Sequence, residues 1–247
     1  MRGVALGICP DVTLADITHE IAPQDVLGAA LELAAAYKYY PQDTVFLCVV
    51  DPGVGSARRG LAAEAAGYRF VAPDNGLLTM VFKETAPAQV VELTDPQYAR
   101  PTISRTFEGR DRFAPAAAWL AKGIEVRALG RQVTTWEMLD IPEPRVAGRQ
   151  LSGSVLRVDR FGNLVTNIDR RSVDAFAASG PIEIEVASHH AARLVDTYAH
   201  GESGAVCALF GSSDHLEIAV AGGSAAERLG LTRGAAVLVR LKTGSAA

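Results

Sequence analysis

Cys48-Val49-Val50-Asp51-Pro52-Gly53-Val54-Gly55-Ser56-Ala57-Arg58-Arg59 is the stretch that decides how the chain is read. The apolar run over residues 44–50 has β character and stops at Asp51. Pro52 fixes its own φ and pushes Asp51 away from the helical region. Gly53 and Gly55 permit backbone angles and close approaches that other residues resist. An acid at the C-terminal end of a buried strand, followed by such a loop, is where open α/β sheets place ligands. Asp51 and Arg58 therefore have two readings. One is an ion pair that holds the loop. The other is an acid and a guanidinium facing each other over a cleft, holding a water or a small polar ligand. The loop lacks the G-x-x-x-x-G-K-[ST] pattern of a phosphate cradle.

Working outward, residues 12–18 alternate and predict a strand. Asp25 stands where an N-cap belongs, and helical spacing follows over residues 26–39 until Pro41. With the 44–50 strand this makes a β-α-β unit, which argues for a mostly parallel sheet covered by helices. Residues 61–65 and 68–72 predict a hairpin, and Pro73-Asp74-Asn75-Gly76 a turn. A short helix over 77–83, a strand over 89–93 and a helix over 114–122 come next. Ahead of the last helix lies Thr106-Phe107-Glu108-Gly109-Arg110-Asp111-Arg112-Phe113. There Asp111 reads as the cap of a helix starting at Phe113, while Glu108 and Arg110 stay open.

The composition changes near Ala147. Short strands are predicted over 151–159, 164–168, 182–187, 206–210, 216–220 and 235–241, with helices over 170–176 and 225–229. The expected fold is an N-terminal α/β domain, residues 1–146, and a smaller mainly-β domain, residues 147–247. Asp159-Arg160-Phe161-Gly162-Asn163 is either a hairpin turn or an aromatic face with an amide that reads a planar ring. Gly211-Ser212-Ser213-Asp214-His215 is either a polar turn or a donor loop for a carboxylate or nucleobase. His189 and His190 would point to opposite sides of a strand.

The 247 residues carry 24 Lys and Arg against 28 Asp and Glu, a net charge of −4, and no basic cluster. That balance speaks against a nucleic-acid partner. Cys9, Cys48 and Cys207 are odd in number and lack C-x-x-C spacing, so neither a disulfide framework nor a zinc site is expected. A reducing, cytoplasmic setting follows from that usage. No signal-like run or membrane-length apolar segment is apparent. No Gly-x-Ser-x-Gly elbow supports a serine hydrolase.

Six collinear segments resemble one family, the S-adenosyl-L-methionine hydroxide adenosyltransferases, relatives of the fluorinase and chlorinase. They are Asp16-Ile17-Thr18-His19-Glu20-Ile21, Val50-Asp51-Pro52-Gly53-Val54-Gly55-Ser56, Ala72-Pro73-Asp74-Asn75-Gly76-Leu77-Leu78, Thr106-Phe107-(x)-Gly109-Arg110-Asp111, Phe161-Gly162-Asn163-Leu164-Val165-Thr166-Asn167-Ile168, and Gly211-Ser212-Ser213 with Leu216-Glu217-Ile218-Ala219-Val220. The resemblance implies hydrolysis of S-adenosyl-L-methionine to adenosine and L-methionine, with no metal and no cofactor. It implies a homotrimer with ligand sites between subunits. By position, Asp51 and Arg58 match two members of the family's water-positioning triad. Phe107, Phe161 and Asn163 would line the adenosine pocket. Asp159 would take the amino group of the methionine part, and Ser213, Glu217 and Val220 would meet adenosine or the methionine carboxylate.

Two departures accompany the match. The third member of the triad is His in the hydrolase pattern and Glu108 in this chain, and a carboxylate is a weaker base than imidazole by about two pK units. A carboxylate there would repel a halide, so the resemblance points to the water-using branch. A catalytically silent binder of S-adenosyl-L-methionine or adenosine is the alternative. Family members also begin with a further strand and a Thr-Asp-Phe-Gly segment. The chain as written would lack that strand, which implies an open edge or gap in the N-terminal sheet.

Overall fold

A computed structural model describes residues 1–187, 189–190 and 193–242. The chain divides into two compact units, Met1–Asp140 and Ile141–Ala247.

In the first unit, α1 (Arg2–Ile8) is followed by an irregular segment and by α2 (Val26–Ala36). The Asp25 carboxylate caps α2 by accepting from Gly28 N at 3.0 Å. The strands are β1 (Val45–Leu47), β2 (Gly60–Ala65), β3 (Tyr68–Pro73), β4 (Gln89–Leu93) and, after α3 (Thr79–Glu84) and α4 (Ala114–Ala121), β5 (Gly130–Gln132). They form one sheet in the order β1-β3-β2-β4-β5. Period-two alternation decides which core each residue enters. Phe70 of β3 joins Phe46, Leu33, Tyr37 and Val81 on one face. Its neighbour Val71 joins Val91, Phe113 and Leu120 on the other.

The sheet is mixed rather than mostly parallel: β1 runs parallel to β3, while the β2–β3, β2–β4 and β4–β5 pairings are antiparallel. The parallel expectation rested on a strand at residues 12–18, and that segment forms none. Local side-chain bonds hold it instead. Asp16 pairs with Arg2, His19 Nε2 lies 3.2 Å from Asp16, and Thr18 Oγ1 accepts from Glu20 N at 3.0 Å. Among the described strands β1 therefore lies at the edge of the sheet. Beside it runs a cavity of about 660 Å³, whose lining includes Ala29 and Leu33 of α2, Phe46, Val50 and Ala117 of α4. The strand predicted over 44–50 is shortened for a visible reason. Cys48 N still reaches Val71 O at 2.9 Å, but Val50 O accepts from the side chain of Asn75, also at 2.9 Å.

The second unit holds β6 (Arg145–Ala147), β7 (Gln150–Val158), β8 (Leu164–Asp169), α5 (Arg170–Ala177), β9 (Ile182–Val186), β10 (His189–His190), β11 (Val206–Phe210), β12 (His215–Val220), α6 (Ala225–Leu229) and β13 (Ala236–Leu241). These strands form one sheet in the order β10-β9-β13-β7-β8-β12-β11, with β6 also on β7. Every pairing between these named strands is antiparallel. Leu151, Leu164, Ile168, Ile184, Ile218 and Val237 build its core, and Val173 and Phe176 of α5 pack into it. The side chains of His189 and His190 lie outside what the structure describes. Among the described residues no helix is long and apolar enough to cross a membrane.

Phe70 is fully buried and its ring stacks on Phe46 at 5.3 Å between centroids. Phe70→Ala is expected to destabilise the first unit by about 3–5 kcal/mol, read as a lowered urea midpoint.

Candidate functional site

Asp51 follows directly on the strand run, and the loop after it returns Arg58 to face it. The Arg58 guanidinium is bidentate on Asp51: Nε donates to Oδ1 at 2.7 Å and Nη2 to Oδ2. Nη2 also donates to Glu108 Oε2 at 2.8 Å, and Nη1 to the carbonyl of Arg59 at 3.1 Å. The three side chains are only 9, 6 and 10% exposed for Arg58, Asp51 and Glu108. The Phe113 ring lies under the guanidinium, 5.1 Å from its centroid. A second cation stands farther off, with Arg112 Nη1 at 3.9 Å from Glu108 Oε2. Two carboxylates thus share one guanidinium in a nearly dry setting, and the cluster carries one net negative charge before Arg112 is counted.

Gly55 brings the loop against the segment that supplies Glu108. Its φ is +78°, and a Cβ there would lie 2.3 Å from the carbonyl oxygen of Arg105, so no side chain fits. Arg59 ties the other flank. Its Nε and Nη2 donate to Asp74 Oδ2 at 2.8 and 2.5 Å, while Glu137 N donates to Asp74 Oδ1 at 2.8 Å. Cys48, just upstream, has its thiol pushed up to about 12 by burial and serves as core.

Glu108 is held by an unusual turn. Residues Gly109–Phe113 form a π-helical turn, closed by Ala114 N donating to Gly109 O. Asp111 sits within it and is fully buried, so it is not the helix cap that the sequence suggests. Its carboxylate accepts from Arg110 Nε at 2.7 Å and Nη2 at 2.8 Å, from Arg100 Nη1 at 3.1 Å and from Ser104 N at 2.8 Å. The physical reason is competition: two guanidiniums and a loop amide outbid the helix N–H groups for one buried carboxylate. Phe107 is 45% exposed, and the Arg110 guanidinium lies over its ring at 5.0 Å.

In the second unit, Asp159, Phe161 and Asn163 share the β7–β8 turn. Asp159 Oδ1 accepts from Phe161 N and Asn163 N, both at 2.8 Å, and Oδ2 from Asn163 Nδ2 at 2.9 Å. Asn163 is buried, whereas the Phe161 ring is 80% exposed. Glu217 is buried on β12 and accepts from the hydroxyl of Tyr198 at 2.7 Å. A Cβ on Gly211 would lie 1.7 Å from Glu217 Oε1, so any side chain there would displace the Glu217 carboxylate. Burial, the bond to Glu217 and the charges of Glu217 and Asp159 raise the Tyr198 pKa. Ser213 lies in the β11–β12 loop, where its carbonyl faces His215 Nδ1 at 2.8 Å. Val220 ends β12 with its side chain in the core.

The structure thus brings Asp51, Arg58 and Glu108 into one cluster and Asp159, Phe161 and Asn163 into one turn. Sequence reading missed Arg112, Phe113 and Tyr198. Arg112 was within reach, because a residue four after Glu108 shares its helix face. No local signal announces Tyr198, whose partner is 19 residues away across the sheet.

Fold and site together define a two-unit α/β-plus-β protein with a buried acid–guanidinium–acid cluster at the end of a sheet strand. The chain belongs to the SAM hydroxide adenosyltransferase family: the model of its N-terminal domain matches residues 1–130 and that of its C-terminal domain residues 153–238. It is 38% identical over 242 residues to the (R)-S-adenosyl-L-methionine hydrolase of Thermus thermophilus, covering 95% of this chain and 90% of the relative. It is 36% identical over 236 residues to the protein of the same name from Salinispora arenicola, covering 94% and 88%. A crystal structure of an uncharacterized conserved protein from Thermotoga maritima superposes with a TM-score of 0.89 at 33% identity, covering 97% of this chain and 93% of that one.

Arg110 above all holds the Asp111 carboxyl well below the usual range, against the opposing effect of burial. A carboxyl depressed on folding stabilises above its unfolded value near ~3.9 and loses that contribution as pH falls towards the folded value. Asp111→Asn is therefore expected to be less stable than the parent at neutral pH. Its stability should also fall less steeply below about pH 4, measured by urea titration across pH.

Proposed function

We propose that this protein hydrolyses S-adenosyl-L-methionine to adenosine and L-methionine. The observation that carries the reading is the buried cluster in which Arg58 joins Asp51 to Glu108, in a chain of this family. In this reading Asp51 and Arg58 hold a water in line with the C5′–S bond. The water oxygen bonds to C5′ as the C5′–S pair leaves on sulfur, giving a neutral thioether. The water's proton passes to a carboxylate of the cluster. The sulfonium is a cation, and the two carboxylates of the cluster attract it. The leaving group needs no acid, so the proposal calls for no metal and no cofactor.

The remaining roles belong to the same reading. Phe107, Phe161 and Asn163 receive the adenosine. Asp159 takes the amino group of the methionine part: three of its roughly four lone-pair sites are used within the turn, which leaves one for an ammonium. Ser213, Glu217 and Val220 serve adenosine or the methionine carboxylate. We assign residues 1–146 and 147–247 to the two domains, a homotrimer with sites between subunits to the assembly, and the cytoplasm to the location.

A second reading, a silent binder of S-adenosyl-L-methionine or adenosine, draws on one observation. Glu108 stands where the family pattern has His, and it is already bonded to Arg58 at 2.8 Å. By ordinary chemistry a carboxylate is the weaker base.

Incubating the purified protein with S-adenosyl-L-methionine, with and without chloride, and separating the nucleosides decides between them. Adenosine supports the hydrolase. A 5′-chloro-5′-deoxyadenosine product overturns it in favour of a halogenase, and retained binding with no product overturns it in favour of the binder. Glu108→His is expected to speed adenosine release about tenfold; an unchanged or slower rate would count against Glu108 as the residue that limits turnover.

A further inference from the structure

The proposed reading makes Phe107 part of the adenosine pocket but leaves unexplained how its ring is kept in place. Phe107 lies at the loop end of the π-helical turn and is nearly half exposed. Exposed aromatic side chains change rotamer on the picosecond-to-nanosecond scale. A wall for a planar base would need restraint.

That restraint is present. The Arg110 guanidinium covers the Phe107 ring at 5.0 Å. Arg110 is not free to swing, because both its Nε and its Nη2 are bound to the two oxygens of Asp111. Asp111 is fully buried and is itself fixed by Arg100 and by the amide of Ser104. Arg100 N also donates to the carbonyl of Asp111 at 2.8 Å, and Phe107 N to that of Ser104 at 3.3 Å. A buried carboxylate thus orients a planar fork, and the face of that fork lies over the ring. Neither Arg110 nor Asp111 is bonded to Asp51 or Arg58, so this chain of contacts is separate from the water-holding cluster.

We infer that Arg110, locked by Asp111, is a positioning residue: it fixes the Phe107 ring as one wall for the nucleoside of the substrate. The inference rests on the proposed reading of Phe107 and adds the residues that make the wall rigid. A guanidinium suits this role better than an ammonium, since only the planar fork can bind Asp111 with its edge and the ring with its face.

The test is a mutant cycle of Arg110→Met, Phe107→Leu and the double variant, with Arg110→Lys as the conservative partner. Adenosine binding is measured by calorimetry, and kcat and KM with S-adenosyl-L-methionine. Arg110→Met is expected to weaken adenosine binding and raise KM about three- to tenfold, with a smaller change in kcat. Arg110→Lys should restore little, and Arg110→Met should add nothing once Phe107→Leu is present. Additive losses in the double variant, or a fall in kcat at constant KM, would overturn the inference. So would full binding in Arg110→Met with only a lowered melting temperature, the signature of a structural role. If Arg110→Met does not fold, Arg110→Lys decides alone: parent-like adenosine binding in it overturns the inference. The parent separates this from the functional reading. Adenosine binding without hydrolysis removes the hydrolase alone, whereas failure to bind either nucleoside removes both.

Discussion

One guanidinium binds two carboxylates, and much of the first unit is arranged around that fact. Burying Asp51, Arg58 and Glu108 together costs desolvation, and only close, directional bonds offset it. Arg58 supplies them: two bonds to Asp51, one to Glu108 and one to the carbonyl of Arg59, with its face on Phe113. Every donor direction but one is thereby committed to the protein. Without Arg58 the strand end and the π-helical turn would bring two like charges together in a setting with little water.

The surrounding contacts read as supports for that cluster. Gly55 lets the loop approach Arg105, Arg59 binds Asp74, and Asn75 takes over the last strand carbonyl, that of Val50. Apart from these, Asp111 gathers Arg110, Arg100 and the amide of Ser104 at the π-helical turn. These are short polar bonds made by buried or half-buried groups, where each bond is worth more than at the surface. They hold the acids at fixed separation.

The second unit uses the same economy in a different setting. The Asp159 turn satisfies its own amides through one carboxylate, and Tyr198 engages Glu217 from a distant part of the chain. The two exposed phenylalanine rings, Phe161 here and Phe107 in the first unit, differ in one respect. Phe107 is covered by Arg110, while Phe161 is 80% exposed at the tip of its turn.

Much of this was legible along the chain, because the signals are local. Short apolar runs bounded by turn residues predicted the hairpin of β2 and β3 and most strands of the second unit. The break from apolar run to Asp-Pro-Gly marked the loop that joins Asp51 to Arg58, and Asp25 capped its helix. Competing side-chain bonds overrode backbone preference elsewhere. Residues 12–18 alternate like a strand, yet Asp16 and Thr18 bond nearby groups and the segment stays irregular. Asp111 looks like a cap, yet two guanidiniums claim it. The pairing of Asp51 with Arg58 could be proposed from their spacing of seven. The family resemblance set Glu108 beside them as the third member; that Arg58 bonds it directly, fifty residues on, was decided by tertiary structure, since a guanidinium chooses its carboxylates by distance and burial, neither of which is written in the order of residues.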